Sequence, residues 1–277
     1  MNRLLIRPGA IGDCLLCFPA LEHLKAEYTE VWTPSVVVPL IQFADKVRSI
    51  VGTGLDLAGV GDLEIPAGLQ RELRSFGSVV SWYGANRQEF RDALSRAGIG
   101  CEFHAALPPQ GYRGHATDFF CRQVRAPAGA APHIAVRAAS PRNTVVIHPF
   151  SGSPRKNWPL DKFRELAYRL PCEVDWVCGP DEHLSCAMHF DNLAELASWM
   201  RGARLYIGND SGITHLAAAA GCETIALFGP TDAAVWAPRG PNVTVIRSNP
   251  IAELPVDQVW TAVQDRMAGL KTRPFSG

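Results

Sequence analysis

Short apolar runs alternate with amphipathic segments along the whole chain. The clearest strand-like runs lie at residues 4–7, 144–148, 173–178, 204–207 and 224–228. Helix-like patterns follow several of them, as at residues 13–27 and 160–170. Continuous apolar runs are typical of strands buried on both faces, and their alternation with helices is typical of parallel sheets covered by helices. The pattern therefore predicts an α/β protein.

The periodic pattern stops between residues 126 and 142, where prolines and glycines punctuate an alanine-rich stretch. Such a composition breaks helices and strands and is typical of a linker. We therefore predict two domains, residues 1–130 and residues 131–277. A last helix is predicted at residues 256–268. We leave open whether it packs on the first domain or on the second.

The composition is that of an ordinary globular protein. The 277 residues are 47% hydrophobic, and 27 Lys and Arg balance 27 Asp and Glu. A net charge of zero gives no overall field to recruit nucleic acid, so no such partner is expected. The first residues lack the apolar region of a secretory signal, and a cytoplasmic location is expected. The eight cysteines should then be reduced, with Cys14 and Cys17 more typical of core packing than of a zinc or redox pair.

A polar turn follows the first predicted strand. Arg7 ends that strand, and Asp13 comes after two glycines at the start of the next helix. A carboxylate that faces a ligand can act as a general base. An Asp at a helix start is just as typical of an N-cap. The residues alone leave the two interpretations equally open.

A second polar loop follows the strand at residues 144–148. It contains Ser151, Ser153 and Lys156, whose hydroxyl and ammonium groups suit phosphate oxygens. The alternative is a solvated loop that leads into the next helix. This loop does not match a P-loop, and the chain has no GxGxxG turn, so neither a kinase-like nor a dehydrogenase function is indicated.

A third polar turn, Asp210-Ser211-Gly212, lies between a buried strand and a helix. Free main-chain N–H groups at a helix start attract anions, so a phosphate or diphosphate is the expected ligand. A simply capped helix start is the alternative. His215 lies one turn into this helix, where a structural role is more typical than a catalytic one.

A carboxylate pair, Asp181 and Glu182, follows the strand at residues 173–178. Either side chain could accept ribose hydroxyls. The pair could equally form the charged first turn of a helix. The sequence contains no cluster of carboxylates or histidines with metal-ligand spacing, so no metal site is predicted.

Together these segments resemble glycosyltransferase family 9, the ADP-heptose:lipopolysaccharide heptosyltransferases. The blocks that carry the resemblance stand in the family's order: Gly12-Asp13 with Pro19-Ala20-Leu21, Lys156-Asn157-Trp158-Pro159, and residues 210–215 with residues 227–231. The resemblance implies a GT-B fold, that is, two Rossmann-like domains with a central cleft. It also implies metal-independent, inverting sugar transfer from a nucleotide donor without a cofactor.

The resemblance further implies roles for single residues. Asp13 matches the family's catalytic base. The expected donor contacts are Ser151, Ser153, Lys156, Glu182, Asp210, Ser211, Gly212 and His215. Residues 51–76 are hard to map onto an acceptor-binding domain, so acceptor contacts are predicted from residue type and position only. Arg7 is the candidate that we select, and Trp82, Tyr83 and Arg113 are the others.

The function implied is transfer of a heptose or related sugar, from an ADP-linked donor, to lipopolysaccharide or another surface glycan. A lipid-linked acceptor would bring the enzyme to the cytoplasmic face of the inner membrane as a peripheral protein. Two alternatives keep the fold: a sugar-nucleotide epimerase or hydrolase, and a nucleotide-sugar-binding protein with weak or no transferase activity.

Overall fold

The structure is a computed structural model that describes residues 1–61, 63–137 and 139–271, without the side chains of residues 270 and 271. The chain divides into two compact units. The first comprises Met1–Tyr112 and Ala116–Ala130, and the second comprises Arg113–His115 and the chain from Ala131 onward. Within the described residues, no helix has the length and apolar character needed to span a membrane.

The first unit is a parallel sheet with helices between its strands. Its elements are β1 (Asn2–Ile6), α1 (Ile11–His23), β2 (Tyr28–Thr33), β3 (Lys46–Ser49), α2 (Ala67–Arg74), β4 (Ser78–Ser81), α3 (Gln88–Arg96), β5 (Glu102–Phe103) and α4 (Ala116–Gln123). The strand order is β3-β2-β1-β4-β5, and each neighbouring pair is parallel.

The centre of this sheet is β1, whose last residue Ile6 is paired with Trp32 on one side and Ser81 on the other. Leu4, Leu5 and Ile6 are fully buried, as expected for a strand covered on both faces. Chain order reverses between β1 and β4. In open parallel sheets, ligands bind beyond the carboxyl ends of the strands at such a switch point.

The second unit repeats this construction with a different strand order. Its elements are β6 (Thr144–His148), α5 (Leu160–Arg169), β7 (Glu173–Trp176), α6 (Leu193–Arg201), β8 (Leu205–Asn209), α7 (Gly212–Ala219), β9 (Thr224–Phe228), α8 (Ala233–Trp236), β10 (Val243–Arg247) and α9 (Val256–Lys271). The all-parallel order β10-β9-β8-β6-β7 places the switch point between β6 and β8.

The core of the second unit lies between its sheet and two of its helices. Phe163 of α5 and Val259 and Val263 of α9 are fully buried in one apolar cluster with Val145 and Ile147 of β6. The buried side chains of the last helix therefore belong to the core of its own unit.

Element ends differ from the sequence prediction mainly in the first unit. Helix α1 runs from Ile11 to His23, and its N-cap is Ala10, which makes no side-chain capping bond. The N-cap interpretation of Asp13 is therefore wrong: Asp13 lies inside the first turn, where its charge is favourable to the helix dipole. The region that was hard to map, residues 51–76, contributes helix α2.

The cysteines are free thiols, and most of them are buried. Burial raises the pKa of Cys14 to about 11 and that of Cys17 to about 12. Both side chains are fully buried in α1, so they act as small core residues. All eight cysteines lie in the described part of the chain, and Cys186 alone among them is exposed.

Candidate functional site

The loops beyond the switch point of the second unit hold an ion pair. Lys156 lies at the end of a 3-10 turn, Pro154–Lys156, after β6, and Asp210 follows β8 directly. The Lys156 Nζ atom is 2.8 Å from Asp210 Oδ2. Asp210 is 7% exposed and Lys156 is 34% exposed, so the ammonium compensates a buried carboxylate and remains open to solvent. A diphosphate that reached this point would meet a cation already in place.

The helix that follows Asp210 begins with a side-chain cap. Ser211 is the N-cap of α7, and its Oγ accepts a hydrogen bond from the Thr214 N–H. Thr214 Oγ1 donates to the Asn209 carbonyl oxygen, and the buried Tyr206 hydroxyl lies 3.1 Å from the same Thr214 atom. These bonds fix the direction of α7 against β8. Main-chain N–H groups at the helix start remain available to an anion.

Gly208 is what lets this helix start approach the strand. A Cβ atom at this position would lie 2.5 Å from the Tyr206 hydroxyl and 2.8 Å from Thr214 Oγ1. Any larger residue would therefore push the network apart.

Asn209 joins the two loops that carry the ion pair. Its side chain is fully buried. Asn209 Oδ1 accepts a hydrogen bond from the main-chain N–H of Trp158 at 2.9 Å, and Nδ2 donates one to the main-chain carbonyl oxygen of Pro149 at 2.7 Å. One amide thus holds both ends of the loop that contains Lys156. Sequence reasoning gave Asn209 no role; its place just before Asp210 was the only signal.

Replacing Asn209 with alanine is expected to lower the free energy of unfolding by about 2–6 kcal/mol. Two buried main-chain groups would lose their partners, at about 1–3 kcal/mol each. Urea unfolding of both proteins measures the difference. The control is Asn242→Ala, because the Asn242 side chain makes a single bond to the described part of the chain, 3.4 Å long and at the surface. Equal stability of the two variants would contradict a clamping role for Asn209.

His215 is buried within the electrostatic reach of Asp210 and Lys156, and its imidazole is neutral at neutral pH. Its side chain is 7% exposed. Burial lowers the pKa of the imidazole; the charge of Asp210 opposes this shift, and the charges of His115 and Lys156 add to it. A buried neutral imidazole is suited to hydrogen bonding and not to carrying charge.

Ser151 and Ser153 lie in the loop between β6 and Trp158, where Ser151 organises the loop itself. The Ser151 hydroxyl lies 2.9 Å from the Ser153 carbonyl and 2.6 Å from Asn157 Oδ1, either of which can accept its proton. It also accepts weakly from the Ser153 N–H at 3.4 Å. The loop therefore has internal order before any ligand binds.

Glu182 lies on a turn beyond β7 and is held by two donors. Its Oε2 atom accepts from His148 Nε2 at 2.9 Å and from the Gly179 N–H at 2.6 Å. Burial alone would raise the pKa of this carboxyl, but the hydrogen bond and charge of His148, with help from Gly179, lower it. No helix begins at Asp181 or Glu182, since α6 starts at Leu193, so the helix-dipole interpretation of this pair is wrong.

A cavity of about 670 Å³ lies in the first unit, beyond its switch point. It is lined by the loops after β1, β4 and β5: Arg7, Pro8, Gly9, Asp13, Trp82, Tyr83, Gly84, Ala85, Asn86, Arg87, Ala105, Ala106 and Leu107. Asp13 thus lines a concave surface of its own unit, as a general base requires.

Arg7, the candidate acceptor contact, braces the wall of this cavity. It is 1% exposed, and its guanidinium donates to the main-chain oxygens of Pro8 at 2.7 Å and Asp13 at 2.9 Å. It also stacks on the Phe120 ring, 5.0 Å from the centroid. The side chain therefore fixes the loop that carries Asp13. Gly9, with φ of 140°, passes close to it, and a Cβ there would lie 3.3 Å from Arg7 Nη1.

Other residues that line the cavity are aromatic or cationic. Trp82 is buried and donates through Nε1 to Gln123, while Arg87 donates to the Tyr83 hydroxyl at 2.5 Å. Within the described residues, Arg87 forms no ion pair with a carboxylate. Its positive charge is available to a ligand in the cavity.

The structure brings the predicted donor residues of the second unit together only in part. Lys156, Asp210, Ser211, Gly212 and His215 form one cluster at the β6–β8 switch point. Glu182 instead contacts His148, the last residue of β6, for which the sequence predicted no role. The described residues contain no group of three or more His, Cys, Asp or Glu placed to hold a metal ion.

Comparison with known proteins identifies heptosyltransferases among the relatives of this chain. Residues 121–259 match the family model "Glycosyltransferase family 9 (heptosyltransferase)". Lipopolysaccharide heptosyltransferase 3 of Escherichia coli is 30% identical over 133 residues, 41% of this chain and 39% of that protein. Lipopolysaccharide heptosyltransferase 1 of Pseudomonas aeruginosa is 34% identical over 93 residues, 28% of this chain and 26% of that protein. The aligned segments thus span less than half the length of these relatives.

Solved structures share the whole fold at low sequence identity. The Escherichia coli ADP-heptose lipopolysaccharide heptosyltransferase II matches 98% of this chain and 100% of its own, with a TM-score of 0.77 and 15% identity. A family 9 glycosyltransferase from Veillonella parvula matches 97% of each chain, with a TM-score of 0.74 and 15% identity. The predicted α/β fold of the GT-B type is confirmed. With a family model that covers half of its residues, the chain belongs to glycosyltransferase family 9, the heptosyltransferase family.

Proposed function

We propose that this protein is an inverting, metal-independent glycosyltransferase that moves a heptose or related sugar from an ADP-linked donor to lipopolysaccharide or another surface glycan. The family and the names of the relatives support a heptosyltransferase-type enzyme. The observation that carries the proposal is the Lys156 ammonium, 2.8 Å from Asp210 at the capped start of α7.

The donor diphosphate binds, in this proposal, between Lys156 and the N–H groups at the start of α7. A cation and a helix N-terminus both favour the negative charge that develops on the leaving diphosphate. Ser151, Ser153, Asp210, His215 and Glu182 complete the donor contacts, with Glu182 on the ribose. The enzyme then needs no metal ion and no further cofactor for this step.

Asp13 takes the proton from the attacking hydroxyl of the acceptor. The deprotonated oxygen attacks the anomeric carbon from the side opposite the diphosphate, which inverts the configuration. The cavity of the first unit receives the acceptor, because Asp13 lines it together with Tyr83 and Arg87. A lipid-linked acceptor would place the enzyme at the cytoplasmic face of the inner membrane as a peripheral protein.

Nucleotide-dependent thermal stabilisation tests the donor. A ligand at about 100 times its Kd stabilises the folded state by about 2.7 kcal/mol. We expect ADP to raise the melting temperature more than UDP, GDP or CDP at equal concentration. Selective stabilisation by UDP or GDP would contradict the ADP donor, and no stabilisation by any nucleotide would contradict the donor site.

Turnover of ADP-heptose in the presence of excess EDTA tests the chemistry. Release of ADP with formation of a glycosylated acceptor is expected at the same rate with and without the chelator. Release of free sugar without acceptor glycosylation would indicate a hydrolase, and isomerised donor would indicate an epimerase.

A further inference from the structure

His148 connects the rigid sheet of the second unit to the loop that carries Glu182. It is the last residue of the interior strand β6, is 2% exposed, and is paired with Gly208 of β8. Glu182 belongs to a turn outside the regular elements, and its side chain is 24% exposed. The 2.9 Å bond between His148 Nε2 and Glu182 Oε2 therefore ties a partly exposed carboxylate to a fully buried strand of the sheet.

The two oxygens of Glu182 have different surroundings. Oε2 receives both His148 Nε2 and the Gly179 N–H. Gly179 must be small for this, because a Cβ atom there would lie 3.3 Å from Oε2. Oε1 accepts no hydrogen bond from any described residue. A carboxylate held by one oxygen presents the other in a fixed direction to a hydroxyl donor.

The contacts of His148 indicate which of its ring nitrogens donates. A carboxylate only accepts hydrogen bonds, so His148 Nε2 carries the proton of this bond. His148 Nδ1 is buried and has no hydrogen-bond partner among the described residues. Among the described residues, the hydrogen bond to Glu182 is therefore the one that the imidazole ring makes. A residue that only filled the core would not need this bond.

We propose that His148 is a positioning residue that aims Glu182 Oε1 at the ribose hydroxyls of the donor nucleotide. This inference rests on the proposed function, in which Glu182 binds the ribose. His148 itself does not touch the nucleotide. Its contribution is the direction of one carboxylate oxygen.

The test compares ADP with 2′,3′-dideoxy-ADP, which lacks the hydroxyls, by calorimetric titration of the full chain. His148→Leu removes the N–H that donates to Glu182 and introduces an apolar side chain of similar size. His148→Gln retains an N–H that can reach Glu182. Glu182→Gln reports the loss of the carboxylate itself. Thermal unfolding without ligand shows whether each variant is folded.

We expect His148→Leu to weaken ADP binding about 10-fold, the effect of losing one charge-assisted hydrogen bond. Binding of 2′,3′-dideoxy-ADP should change by less than about 2-fold, because the contact is already absent. His148→Gln should recover most of the ADP affinity. If His148→Leu does not fold, His148→Asn replaces it, because the shorter amide of Asn cannot reach Glu182. ADP and 2′,3′-dideoxy-ADP are then titrated into His148→Asn and His148→Gln, and only His148→Asn should bind ADP more weakly.

Equal weakening of both nucleotides by His148→Leu would overturn the proposal, because a general distortion of the site does not depend on the ribose hydroxyls. The proposal would also be overturned if His148→Leu bound ADP as tightly as the unmodified protein while Glu182→Gln bound it more weakly. The proposed function would stand in that case, because Glu182 would still contribute to ADP binding. If the unmodified protein bound ADP and 2′,3′-dideoxy-ADP equally, or neither, the assignment of Glu182 to the ribose would fail and His148 with it.

Discussion

Asp13→Asn is expected to reduce kcat about 10²- to 10⁴-fold and to leave the Kd for ADP unchanged. Removal of a general base removes its contribution to the transition state, which is of this size. The donor contacts proposed above all belong to the second unit, whereas Asp13 lines the cavity of the first. Steady-state kinetics of ADP release, with calorimetric titration of ADP, separate the two quantities.

The control for this variant is Asp56→Asn, which removes an exposed carboxylate from the same unit. It should retain full turnover. If Asp13→Asn also retained full turnover, the base would have to be another residue. If Asp13→Asn lost ADP binding together with turnover, Asp13 would act on the donor and not on the acceptor.

Lys156→Met is expected to reduce kcat about 10²- to 10³-fold and to weaken ADP binding as well. The ammonium lies 2.8 Å from Asp210, the residue before the N-cap of α7, and loss of one preorganised charge contact to a leaving group has effects of this order. The same change leaves Asp210, which is 7% exposed, without its cation. Stability should therefore fall too, because an uncompensated buried carboxylate is unfavourable.

The double variant Lys156→Met with Asp210→Asn separates the two effects. Neutralising Asp210 removes the uncompensated charge, so stability should return toward that of the unmodified protein while turnover stays low. Arg164→Met, which removes an exposed cation from α5, is the control for net charge. Recovery of turnover in the double variant would mean that Lys156 acts only by balancing Asp210.

The strands of the second unit were predictable because they are buried on both faces. Residues 144–148 and 224–228 were predicted and observed with the same bounds, and every residue of β6 and β9 is buried. Strand β3, Lys46–Ser49, was not predicted. It carries two cations and has no fully buried residue, so only its pairing with β2 identifies it as a strand. That information is absent from a local pattern.

The site was predictable in residue types but not in contacts. Polar residues after strands predicted the loops of Lys156 and Asp210 separately. The ion pair between them depends on β6 and β8 being neighbours, which is a property of the sheet order. The same holds for Asn209, whose two partners, Pro149 and Trp158, lie on another loop. Side chains that connect distant segments carry no local signal.

The distribution of thiols gives this protein a built-in attachment point for a spectroscopic reporter. Burial raises the pKa of Cys14 to about 11 and those of Cys17 and Cys222 to about 12, which slows their alkylation at neutral pH. Cys186 is exposed, with a φ of 66°, on the segment that carries Glu182. A maleimide fluorophore would therefore label this segment first, and its emission would follow nucleotide binding in real time without any engineered cysteine.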